Sequence, residues 1–246
     1  MFFAIDIGNT STTFGVTDGA GWRAVVWRDT ATICALEILP AVLRELGIAA
    51  AHVTTVGIAS VVPAIDTPFV AAVHNSVQRT PIFLTVANYP HAIRYPHPQE
   101  IGADRLADAA GALHKFRPPF IILDFGTATT FEYVDADGAY CGGPIMPGVL
   151  LAQRALADAA AKLPSVDFAP VEMLIPRTTS EAVQSGMFLG TVGAVDYILN
   201  RMIAEVGGSP QLIATGGLAA TVVPALQHQL TIEPTLTLDG IYVCLR

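Results

Sequence analysis

The chain has 246 residues, 52% of them hydrophobic and 14% charged, a balance that excludes intrinsic disorder and leaves much apolar surface for a core or a subunit interface. Its formal charge is -8, and Lys115 and Lys162 are its only lysines, which argues against a nucleic-acid partner. Neither lysine lies in a G-x-x-x-x-G-K-[ST] run, so phosphates must be held without a P-loop.

Phe2 to Thr17 reads as two β-rich segments around the corner Asp6-Ile7-Gly8-Asn9-Thr10, followed by the hairpin signal Asp18-Gly19 and a third segment, Trp22 to Trp27. Ile33 to Leu46 carries apolar residues at helical spacing (Leu36, Leu39, Val42, Leu43, Leu46), with Gly47 as the stop; Pro40 predicts a kink there or a regular helix starting close to it. Val53 to Val62 reads as a buried strand, Pro68 to Val77 as a helix and Ile82 to Thr85 as a strand. The Pro- and His-rich run Tyr89 to Pro98 is a loop, because its prolines remove donors and restrict their neighbours. Gly102 to Phe116 has helical periodicity and stops before Pro118-Pro119, an expected boundary between halves spanning 1–117 and 118–246.

The second half opens with Phe120 to Phe131, FIILDFGTATTF, which repeats the plan of Phe2 to Phe14: apolar strand, Asp-x-Gly, small hydroxyl residues, second strand, Asp-Gly turn. Asp18 follows Asp6 by 12 residues and Asp137 follows Asp124 by 13 (18 − 6 and 137 − 124). This is an internal duplication. It predicts two α/β halves with an acid corner on each side of an active-site cleft, a geometry suited to phosphoryl transfer. Later segments read as a long apolar helix, Ala182 to Ile203, containing Gly186, Gly190 and Gly193, and as a strand with a glycine turn at Ile213 to Leu218. That helix is a core helix or a dimer contact.

Asp6 and Asp124 are either strand-end turn residues or ligands for a hard cation such as Mg2+. Gly8, Asn9, Thr10, Gly126 and Thr127 suit a backbone that approaches phosphates closely. Asp104 is a first-turn helix acid or a proton acceptor beside Arg105, which could clamp a substrate carboxylate. Gly216-Gly217 is a tight loop or passes near a nucleotide base. The histidines show no zinc-ligand spacing and no G-x-S-x-G elbow occurs. Cys34, Cys141 and Cys244 suit reduced thiols, the opening residues lack a basic leader, and Val53 to Val73 is broken by Thr, Pro and Asp before bilayer length. A cytoplasmic protein without membrane contact is expected.

Taken together the chain resembles the type III pantothenate kinases of the actin-like, sugar-kinase and Hsp70 superfamily. The motifs are DIGNT (Asp6 to Thr10), SVVP (Ser60 to Pro63), Y-x-x-P (Tyr95 to Pro98), GADR (Gly102 to Arg105) and DFGTATTF (Asp124 to Phe131), then GGPIMPG (Gly142 to Gly148), TSEAVQSG (Thr179 to Gly186), ATGGLA (Ala214 to Ala219) and LTLDG (Leu236 to Gly240). The resemblance implies two duplicated actin-like (ribonuclease H-like) α/β domains and transfer of the ATP γ-phosphoryl group to pantothenate, the first step of coenzyme A biosynthesis. It implies that Asp104 is the proton acceptor and that Tyr95, Gly102, Ala103, Asp104, Arg105 and Thr179 form the pantothenate pocket. It further implies ATP contacts from Asp6, Ile7, Gly8, Asn9, Thr10, Ser11, Thr12, Thr13 and Thr127, Mg2+ carried with ATP at Asp6, and K+ or NH4+ at Asp124. A homodimer is expected. The alternatives are a related small-molecule kinase with another acceptor and a regulatory pantothenate- or nucleotide-binding protein without turnover.

Two segments depart from the family pattern. Arg28 to Glu37 lacks the usual R-T-x-x-x-x-T-A-D-E run, and Pro176-Arg177-Thr178-Thr179 replaces the usual G-x-N-T, keeping the threonine without its asparagine.

Overall fold

The computed structural model describes all residues except Leu36, Ala161 and Met173, so Leu36 of the first expected helix lies outside the described residues. The chain divides into two compact units, Met1–Phe116 with Thr235–Arg246, and Arg117–Pro234. The closing segment, expected in the second half, belongs to the first unit instead.

In the first unit the strands are β1 (Phe2–Ile7), β2 (Ser11–Thr17), β3 (Trp22–Asp29), β4 (Thr55–Ser60) and β5 (Ile82–Phe83), in the order β3-β2-β1-β4-β5. The meander β1 to β3 is antiparallel, and β4 and β5 continue the sheet in parallel. Because strand side chains alternate, Phe3, Ile5, Ile7, Phe14, Val16, Val56 and Ile58 share one face. They form a core with Leu39, Val42 and Leu43 of α1 (Ile38–Glu45) and Phe69 and Val73 of α2 (Pro63–Val77). Asp6 and its cross-strand partner Thr13 sit on the opposite face. Helix α1 starts just before Pro40, whose missing N–H falls in the unbonded first turn, and Gly47 at φ +70 closes it. Helix α2 begins earlier than expected because Pro63 takes its first position, and it accommodates Pro68 within. The expected helix after the proline loop is α3 (Ala103–Lys115).

The second unit repeats this scheme. Strands β6 (Phe120–Phe125), β7 (Ala128–Val134) and β8 (Tyr140–Gly142) form the meander, and β9 (Ile145–Pro147) adds to β7. After α4 (Val149–Ala159) and α5 (Thr179–Val206), β10 (Gln211–Thr215) pairs parallel with β6, and β11 (Thr231–Ile232), reached through α6 (Ala219–Val222), pairs parallel with β10. The order β8-β7-β6-β10-β11 matches β3-β2-β1-β4-β5 strand for strand. Ile121, Leu123 and Phe125 of β6 pack with Val195 and Leu199 of α5. Helix α5 is long and apolar enough to cross a membrane, but it buries Ser185, Phe188, Thr191 and Asp196, and the Asp196 carboxylate accepts from the Gln227 amide at 3.0 Å. One face of the helix thus packs into the unit's core, while only 33% of its apolar stretch is buried.

The last helix, α7 (Leu236–Leu245), lies against α3 in the first unit. Two glycines permit the approach: a Cβ on Gly240 would collide with the Ala107 carbonyl, and one on Gly111 with the Leu236 carbonyl. Around them Thr237 donates to the buried Asp108 at 2.6 Å, and Asp239 pairs with Lys115 at 2.7 Å and accepts from the Trp22 indole at 2.7 Å. The LTLDG motif is therefore a helix-docking element. Gly240→Ala is expected to cost about 3 kcal/mol, the upper range of overpacking penalties, seen as a lower unfolding midpoint. An unchanged midpoint would show that the α3–α7 backbone contact is soft.

Candidate active site

The first acid corner is a tight loop between β1 and β2. The Gly8 amide donates to the Ser11 carbonyl at 3.1 Å, and Asn9, Thr10 and Ser11 are exposed. Asp6 is half-buried at the end of β1, beside Thr13 on β2 and Ala59 on β4. Among the nucleotide residues expected from sequence, Ile7 and Thr12 are fully buried. Thr30, which sequence reasoning did not single out, donates its hydroxyl to the Gly8 carbonyl at 2.7 Å and its amide to the Thr10 carbonyl at 2.9 Å. Its only sequence signal is a threonine after an aspartate at the end of a strand.

The SVVP segment ties this corner to the next element. The Val61 amide donates to the Ile7 carbonyl at 3.1 Å, and Val61 Cγ1 lies 3.3 Å from where a Cβ on Gly102 would stand. Ser60 donates to Asp66 at 2.6 Å and accepts from the Val62 amide at 3.2 Å, fixing the turn into α2.

Gly102 caps α3 in an extended conformation, and Asp104 follows in the first turn. The Asp104 carboxylate folds back so that Oδ1 accepts from the Arg105 amide at 2.8 Å and fills the space a Gly102 side chain would need. Loss of water on burial pushes the Asp104 carboxyl up, against the weaker pull of the Arg105 amide and guanidinium. Arg105 is itself 8% exposed. Tyr95 is half-buried in the proline loop of the same unit, in which the Tyr89 and His91 rings meet edge to face at 5.5 Å.

In the second unit Asp124 ends β6, opposite Thr130 on β7 and Thr215 on β10. Gly216, at φ +89, presses on it: a Cβ there would collide with Asp124 Oδ1 and the Phe125 amide. The Gly126 amide donates to the Ala128 carbonyl and the Gly148 amide to the Thr127 carbonyl, each at 3.0 Å, and a side chain at Gly148 would strike the Gly126 and Thr127 carbonyls. One carboxylate between threonines and beside main-chain oxygens is a donor set that fits a hard cation completed by water or phosphate. Among the described residues no three His, Cys, Asp or Glu side chains cluster as a metal site. Thr179 also belongs to this unit; it is exposed just after the Thr178 cap and lines an open, mainly apolar groove of about 270 Å³ with Leu156, Leu163, Ala182, Val183 and Met187.

A family profile described as Type III pantothenate kinase matches residues 2–201. The chain belongs to the type III pantothenate kinase family. It is 39% identical over 249 aligned positions to the type III pantothenate kinase of Desulfosudis oleivorans, covering 99% of this chain and 98% of that one. Among solved structures it is similar to the ethanolamine utilization protein EutJ of Carboxydothermus hydrogenoformans (TM-score 0.55, 15% identity, 98% and 89% covered). It is also similar to a ROK family glucokinase of Streptomyces griseus (TM-score 0.52, 14% identity, 98% and 97% covered). At these identities the likeness is one of fold, and the fold is the actin-like one, with its α/β unit present twice.

For a member of the type III pantothenate kinase family, Gly102→Ala is a direct test of the α3 corner. The added methyl should turn the Asp104 carboxylate away from the Arg105 amide and lower kcat about tenfold or more, with a fall of only a few degrees in Tm. Unchanged kcat would show that the folded-back carboxylate is not the working conformation.

Proposed function

We propose that the chain transfers the γ-phosphoryl group of ATP to the primary hydroxyl of pantothenate, giving 4'-phosphopantothenate in the first step of coenzyme A biosynthesis. The observation that carries this reading is the Asp104–Arg105 pair at the N-terminus of α3, linked through Val61 to the Asp6 loop in one unit. Family membership over the full length supports it.

In this reading Asp104 accepts the proton of the attacking hydroxyl. Its raised proton affinity suits that task, because a base works best when its pKa approaches the operating pH. Arg105 meets the pantothenate carboxylate, with Tyr95, Gly102, Ala103 and Thr179 as the other pocket residues. Asp6 to Thr13 and Thr127 hold ATP; of these Asn9, Thr10 and Ser11 are exposed, whereas Ile7 and Thr12 are buried and shape the loop from beneath. Asp6 would hold the Mg2+ carried with ATP, which would supply charge neutralisation for the phosphates. Asp124 would hold K+ or NH4+, which would supply further positive charge.

The protein acts in the cytoplasm as a homodimer. Leu150, Leu151, Leu156, Leu174, Ile175 and Tyr197 stand exposed on the second unit, and nothing lies within 4 Å of side-chain positions at Gly186, Gly190 and Gly193 of α5. A second copy of the chain is the partner that would cover this apolar face.

ATP consumption in a coupled assay should require pantothenate and be higher in K+ than in Na+ buffer. Consumption independent of pantothenate would point to another acceptor, and ligand binding without turnover to a regulatory protein. Asp104→Asn should lose at least about a hundredfold in kcat. Because the folded carboxyl has a raised pKa, ionising it costs stability as pH rises above the unfolded value. Asp104→Asn removes that cost, so at neutral pH its Tm should match or exceed that of the parent. In the parent, the acid limb of kcat/KM should lie above the ordinary aspartate range. Normal turnover by Asp104→Asn would remove this residue as the base.

A further inference from the structure

We propose that Thr30 is a positioning residue for the ATP phosphates, acting through the Gly8–Thr10 loop without touching the nucleotide; the inference rests on the reading of that loop as part of the ATP site. Thr30 Oγ1 lies 2.7 Å from the Gly8 carbonyl and 2.9 Å from Thr12 Oγ1. A hydroxyl has one proton to give. The Gly8 carbonyl can only accept, so the Thr30 proton goes there and Thr12 supplies the proton of the second bond. The result is a directed chain from Thr12 to Thr30 to the Gly8 carbonyl, shielded from water, since Thr12 and Thr30 are 0% and 5% exposed. Hydrogen bonds in such chains polarise one another in the same sense.

The chain fixes a direction. A trans peptide sets its C=O and N–H on opposite sides, and the only cis bond among the described residues is Pro118–Pro119. Holding the Gly8 carbonyl towards Thr30 therefore turns the Asn9 amide away from it, towards the exposed rim of the loop. An outward main-chain N–H at a glycine turn is the kind of donor that holds phosphate where no lysine is at hand. The Thr30 amide grips the other side of the loop through the Thr10 carbonyl at 2.9 Å, so one residue holds both limbs. Thr30 is in turn placed by Asp29, whose carboxylate accepts from the Ala31 amide at 2.9 Å and caps the short turn Thr30–Thr32 at the exit of β3. Asp29 and Thr30 lie in the segment where the chain departs from its family pattern, and the departure leaves the clamp in place.

The test is Thr30→Val, which keeps the shape and removes the hydroxyl, with Thr30→Ser as the conservative control and Thr12→Val to cut the chain one step upstream. Mg2+-ATP binding is measured by calorimetry without pantothenate, and the KM values for ATP and pantothenate are measured separately. Thr30→Val should weaken Mg2+-ATP about tenfold, the loss of roughly one hydrogen bond's worth of positioning. The KM for pantothenate should stay unchanged, Thr30→Ser should bind like the parent, and Thr12→Val should show a smaller loss of the same kind. Parent-like ATP affinity in Thr30→Val, failure of Thr30→Ser to restore it, or equal rises in both KM values would overturn the proposal. If Thr30→Val does not fold, parent-like ATP affinity in Thr12→Val overturns it and a selective loss upholds it. A parent enzyme that binds Mg2+-ATP yet leaves pantothenate unphosphorylated would count against the acceptor, and the calorimetry would still decide the role of Thr30.

Discussion

The first unit depends on one close backbone contact. Gly240 of α7 and Gly111 of α3 have no room for a side chain against the facing carbonyls, so the two helices meet at main-chain distance. The contact sets where α3 lies, and α3 carries Asp104 and Arg105 at its start. The polar bonds beside it, Thr237 to Asp108 and Asp239 to Lys115 and Trp22, hold the rotation of α7 about that contact. A helix at the very end of the chain thus belongs to the structural support of an acid near residue 100.

Duplication provides the frame on which the two acid corners diverge. In each unit the acid ends the central strand, opposite a threonine on the antiparallel neighbour and beside the parallel one. Around Asp6 the neighbours are hydroxyls and a tight loop clamped by Thr30. Around Asp124 they are Gly126 and a closely packed Gly216, with Gly148 set against the Gly126 and Thr127 carbonyls. The same backbone plan therefore sets its two carboxylates in different surroundings.

Much of this was legible in the sequence because it depends on local chemistry. The alternation of Phe3, Ile5 and Ile7, the Asp-Gly turns and the stop at Gly47 follow from the stereochemistry of adjacent residues. Asp104 and the loop Gly8 to Thr13 were found as strand-end and helix-start motifs. The strands β8, β9 and β11 were not foreseen, being three residues or fewer and too short for periodicity to register. Helix α7 was missed for another reason: it is apolar on nearly every side, so it shows no helical stripe, and LTLDG has no local signature of docking. Thr30 carries no motif of its own, and SVVP gives no local sign of the Val61 amide that meets the Ile7 carbonyl, since both contacts join segments far apart in the chain.

The sequence by itself determined the two α/β halves, the paired acids and the family motifs that name the reaction, because these are written in neighbouring residues and in their repetition. The tertiary structure alone decided that the closing helix joins the first unit. It also decided that Thr12 turns inward to Thr30 and that Gly216 crowds Asp124. Each of these is a contact between segments far apart in the chain, fixed by how the sheets and helices pack and by which carbonyl is left to be satisfied.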